Sequence, residues 1–220
     1  MLWILWIQFL VSLANAIYFF VLYKKAKLVP LPLVLFCIAD ALTAPANLWA
    51  SHSDSDESVT AANIASWVFS IAEVVFIPAF LSNLISKKYN PSVPLFLVVI
   101  LPFLLKYLFN VYDFDLSLNY FLSGILISYH CYRVIIYTLS PNTRDNRILV
   151  KNQMVVFGIM ICYVTSVPFS IGSIAHMLFS NMFKIHIDSH WVNSAFLLGN
   201  IIQHIFFFIS YRWHIQRQPL

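Results

Sequence analysis

Asp40, Glu73, His130, Asn200 and His204 each stand inside a long apolar run, where a polar side chain needs a reason. Carboxylates and imidazoles bind small polar ligands, hold cations and exchange protons near neutral pH. A charged group at the centre of a hydrocarbon layer costs roughly 2.5–3.5 kcal/mol on insertion scales, so it faces protein or water. Counting back from Glu73, Ser70, Ser66 and Asn63 follow at steps of three or four residues and share one helical face. Cys37, Asp40, Thr43 and Asn47 line one side of an earlier run. Asn119, Ser123, His130, Arg133 and Tyr137 do so later, followed by Asn193, Asn200, His204 and Tyr211.

At ~1.5 Å of rise per residue, the five side chains fall within a turn or two of a common depth. The expectation is one buried ligand-binding site, with Glu73 sharing a hydrated pocket with Asp40 and at least one of His130 and His204. The competing reading is a set of separate helix–helix hydrogen bonds, each contributing about 0.6 kcal/mol on average.

Other chemistries find little support. No G-x-S-x-G surrounds a nucleophile and no loop resembles a phosphate cradle, so no catalytic residue is assigned. No H-E-x-x-H occurs, and His186 and His190, with Asp188 between them, read as solvated loop residues. No metal site and no cofactor are expected. Cys37, Cys131 and Cys162 all lie in apolar runs without metal-type spacing and read as buried free thiols.

The elements that must position these residues are legible from composition. The chain is 60% hydrophobic and 10% charged, against about 45–50% and 25% in soluble domains. Its long uninterrupted apolar runs point to helices rather than to alternating barrel strands. The expected fold is an all-α integral membrane protein, a single seven-helix bundle over residues 1–220. The spans are placed at about 2–23, 30–49, 61–86, 94–111, 118–139, 153–179 and 191–213. The first run lacks a basic leader and a small-residue cleavage site, and reads as a span rather than a signal peptide. The fourth span has no polar side chain from Leu95 to Leu105 and is expected at the bundle periphery, against lipid.

With the N-terminus outside, the inner loops and tail hold Lys24, Lys25, Lys27, Lys87, Lys88, Arg144, Arg147, Lys151, Arg212 and Arg217. The outer loops hold Lys184, with Lys106 at a helix end. That bias fixes the expected orientation, C-terminus cytoplasmic, in a cell (inner or plasma) membrane. The net charge of +4 resides in these loops and implies no nucleic-acid partner.

Asn15, Asp40 and Asn200 superficially resemble the polar trio of rhodopsin-like receptors. LISKKY stands where those receptors carry D-R-Y, GNIIQH replaces N-P-x-x-Y, and the seventh span has no lysine for a retinal. The sequence places the chain in no known family. Three functions stay open: a small ligand-binding or sensing module acting through a membrane or cytoplasmic partner, a small-solute or proton-coupled transporter, and an intramembrane hydrolase or metal enzyme. Sparse glycines favour a fixed pocket and the first, over the broken helices that mark transporter sites.

Overall fold

The computed structural model describes residues 2–53, 55–109, 114–140, 147–179 and 189–216, and every regular element among them is helical. In order they are α1 (Leu2–Ala26), α2 (Leu31–His52), α3 (Asp56–Leu84), α4 (Ser92–Leu95), a π-type turn (Phe96–Ile100), α5 (Leu101–Phe109), α6 (Phe114–Leu139), α7 (Arg147–Phe179) and α8 (Ser189–Gln216). Five stretches are long and apolar enough to cross a membrane: Trp3–Lys25, Leu31–His52, Asp56–Leu84, Leu118–Leu139 and Lys151–Gly172. Ser92–Leu105 is apolar but shorter.

Local chemistry sets the ends. Lys24 and Lys25 occupy the last turn of α1, where cations suit the helix dipole. Lys27 then turns the chain at φ 48°, its N–H bonding the Tyr23 carbonyl at 3.0 Å. Pro30 and Pro32 open α2, where a missing N–H costs nothing. α3 begins ahead of the span placed at 61–86: the Ser55 hydroxyl caps the Ser58 N–H at 3.2 Å, and Asp56 and Glu57 occupy the first turn, at the positive end of the dipole.

Packing closes a ring. α1 lies on α2, α2 on α3, α3 on α6, α6 on α7, α7 on α8, and α8 returns to α1. The α4–π–α5 segment sits outside it, against α3 and α6. Phe19, Phe36, Phe80, Ile127, Tyr163 and Phe207 fill the interior, while Leu10, Ile17, Leu42, Ile64 and Ile136 face outwards. A surface this apolar matches lipid rather than water. α7 and α8 pack closely at Gly158, where a Cβ would lie 2.8 Å from the Phe206 Cβ. Gly199 lies against Cys162 on the same seam, a Cβ there meeting the Cys162 Cα at 3.4 Å.

Two prolines show how the fold treats freed backbone groups. Pro78 has no N–H for the Val74 carbonyl, and the Tyr89 hydroxyl donates to that carbonyl at 2.5 Å. Pro102 likewise frees the Val98 carbonyl, which accepts 2.7 Å from Asn119 Nδ2 of α6. The outer segment is therefore not apolar contact on every side: Phe96, Leu97, Ile100 and Phe103 are exposed, but Val98 is 2% exposed and its carbonyl is tied to α6.

Tyr89→Phe keeps the ring and removes the one donor to Val74. It should lower stability by about 1–3 kcal/mol, the cost of an unsatisfied buried polar group. Thermal unfolding in detergent reads this directly, and a midpoint equal to wild type would show that another donor reaches the carbonyl.

Candidate functional site

Asp40 lies on the inner face of α2, 2% exposed, and its carboxylate gathers three helices. Oδ2 accepts from the Ser12 hydroxyl at 2.5 Å and lies 2.7 Å from His204 Nε2. Oδ1 accepts more distantly from Gln8 Nε2 at 3.4 Å and Asn200 Nδ2 at 3.5 Å. Gln8 and Ser12 are one turn apart on α1, as Asn200 and His204 are on α8, so each helix offers two donors from one face.

Asn15 sets the tautomer of His204. Its Nδ2 donates to the His204 backbone oxygen at 2.8 Å and lies 3.0 Å from His204 Nδ1. That nitrogen therefore accepts, and a neutral ring carries its hydrogen on Nε2, pointed at Asp40. The ring is held flat against Phe36, centroids 6.4 Å apart and planes at 10°. Ser12, His204 and Asp40 resemble a hydrolytic set in composition only. Nucleophilic catalysis needs the imidazole between serine and acid, whereas here the acid lies between the other two and Ser12 Oγ is 3.5 Å from His204 Nε2. The arrangement is a knot of hydrogen bonds around a buried carboxyl group.

Glu73 sits next to this knot with partners of its own. It is fully buried on α3, and the Tyr163 hydroxyl of α7 donates to its Oε1. Oε2 has no hydrogen-bond partner among the described residues, nor does the Ser70 hydroxyl one turn earlier on the same face. Tyr120 of α6, hydrogen-bonded to Ser66, and Asp40 both lie within electrostatic reach of the Glu73 carboxylate. Gln8 Oε1 and Asn200 Oδ1, left over once each amide has turned its nitrogen to Asp40, are also buried without partners.

His130 belongs to another layer. Its Nδ1 is 3.4 Å from the Ser82 hydroxyl, and its ring meets Tyr89 edge-on at 5.5 Å. Ser82 is nine residues beyond Glu73 on α3, about 13 Å along the axis, so His130 and Glu73 share no hydrogen-bonded site. The Arg133 guanidinium lies over Tyr129, 5.8 Å from the ring centroid.

Of the five sequence candidates, then, Asp40, Asn200 and His204 meet in one cluster, Glu73 adjoins it, and His130 stands apart. The cluster also enlists Gln8, Ser12 and Asn15, spaced four and three residues apart along one face of α1. Tyr163 carries no such signal, because a tyrosine in an apolar run reads as packing. His186 and Asp188, and the side chain of His190, lie outside the described residues. Among the described residues no three His, Cys, Asp or Glu side chains converge as metal ligands would. Comparison with family models, curated proteins and solved structures finds no match to this chain.

The two carboxylates should respond differently to loss of charge. Asp40→Asn sets a new donor among four existing ones, whereas Glu73→Gln disturbs one bond from Tyr163 and can still accept it. The Asp40 variant should therefore lose more stability, several kcal/mol if two or more donors are stranded at about 1–3 kcal/mol each. Parallel melting curves of D40N and E73Q check the order, and equal losses would refute it.

Proposed function

We propose that this chain is a seven-span membrane protein that binds a small ligand in its interior and passes the binding event to a partner. α4–π–α5 counts as the fourth span, lying at the periphery against lipid, and α8 as the seventh. The N-terminus is outside and the C-terminus cytoplasmic, in a cell (inner or plasma) membrane, following the concentration of lysine and arginine in alternate loops.

One observation carries the functional reading: the fully buried Glu73 keeps Oε2 unpaired, and Ser70 beside it is unpaired as well. Leaving buried polar atoms empty-handed costs about 1–3 kcal/mol each, so a site with two of them is built to be filled. The α3 stripe leading there is graded, with Asn63 exposed, Ser66 half-buried and Ser70 buried, which is the form of an entrance from the outer face. Asp40, with four donors, supports the wall of the pocket rather than opening into it. The tie from Tyr89 to the Val74 carbonyl freed by Pro78 favours a fixed receptor-like pocket over a hinged carrier.

Accessibility tests this. With Cys37, Cys131 and Cys162 replaced by alanine, Ser66→Cys and Ser70→Cys should react with a small charged thiol reagent added outside sealed cells. Resistance of both would remove the pocket. The same background tests orientation: a cysteine at Lys87 or within residues 141–146 should react only from the cytoplasmic side, and labelling from outside would reverse the topology.

A further inference from the structure

The unpaired atoms also define what the pocket takes. Among the described residues, six of the seven buried side-chain polar atoms without partners are oxygens, the exception being Gln203 Nε2. The buried side chains include two acids, Asp40 and Glu73, and among the described residues no lysine or arginine is buried. Asp40 is saturated by Ser12, His204, Gln8 and Asn200. Glu73 receives a single hydrogen bond, from Tyr163, so one carboxylate oxygen remains to be balanced. A hydroxyl oxygen stands one turn away, at Ser70, and two amide oxygens are turned away from Asp40, at Gln8 and Asn200. Hard cations and ammonium groups both seek such oxygens, the first as ligands and the second as hydrogen-bond acceptors.

We infer that the ligand of this site is a small monovalent cation, an alkali ion or a protonated primary amine, held by Glu73 Oε2 and Ser70 Oγ. A monovalent cation balances the one charge of the Glu73 carboxylate, the acid with an unpaired oxygen, whereas the Asp40 carboxyl group has both oxygens hydrogen-bonded. Small size follows from depth, since Ser70 and Glu73 are both fully buried beneath the half-buried Ser66. This inference rests on the pocket reading above and gives it a ligand class.

The test uses the full-length protein in detergent at constant ionic strength, with choline chloride exchanged for sodium, potassium or methylammonium chloride. A cation that binds only the folded protein raises the unfolding midpoint saturably, by a few degrees at a large excess over its Kd. The expected result is such a rise with at least one of the three, lost in Glu73→Gln and reduced in Ser70→Ala. A rise with sodium or potassium identifies an ion, and a rise with methylammonium alone identifies an amine. Identical midpoints in all four salts would overturn the inference. A shift that persists in E73Q overturns it too; if E73Q does not fold, an undiminished shift in S70A does so instead. Labelling of Ser70→Cys separates the two proposals: a reactive pocket without any cation effect removes only the cation, whereas an unreactive Ser66→Cys and Ser70→Cys pair removes the pocket itself.

Discussion

Polar groups shielded from water need partners within the protein, and most of this structure is organised by that requirement. It decides the fate of backbone and side chains alike. Pro78 and Pro102 each release a carbonyl, and in each case a side chain from another segment, Tyr89 or Asn119, supplies the missing hydrogen. Asp40 is answered from α1 and α8 at once. Apolar packing alone would leave helix rotation loosely set, since lipid tails are as apolar as leucine. The hydrogen-bonded ties supply the register.

The helical architecture was legible from sequence because length and composition are one-dimensional properties. So was the meeting of Asp40, Asn200 and His204, because common depth along neighbouring helices is readable from rise per residue. His130 shows the limit of that argument. Its depth was judged from its own helix, whereas its neighbour is Ser82, more than two turns past Glu73 on α3. Tyr163 was illegible for a different reason: its value lies in facing Glu73 across the α3–α7 contact, and no spacing within α7 records that.

Tyr89 was hidden by chain reversal. Ser86, at φ 54°, ends α3 in the left-handed region, and the Lys87 N–H bonds the Ser82 carbonyl at 2.9 Å. From beyond the helix end the phenol reaches back to Val74. Loop tyrosines are ordinarily read as interfacial, so its tie to the carbonyl freed by Pro78 follows only from the folded path. Asn119 is a similar case: its place on a polar stripe gives no hint that its amide serves the backbone of the neighbouring segment.

The bond between Asp40 and His204 joins residues 164 positions apart, and closing the ring requires the last helix to find the first two. Synthesis at roughly 5–20 residues per second puts about 8 to 30 seconds between the emergence of the acid and that of its imidazole partner. For that interval α2 carries a carboxylate with only α1 to answer it, through Gln8 and Ser12. The helical hairpin of α1 and α2 thus holds two of the four donors to Asp40, and α8 brings the other two. A nascent chain stopped before α8 would keep the Asp40 carboxyl group with only two of its four donors.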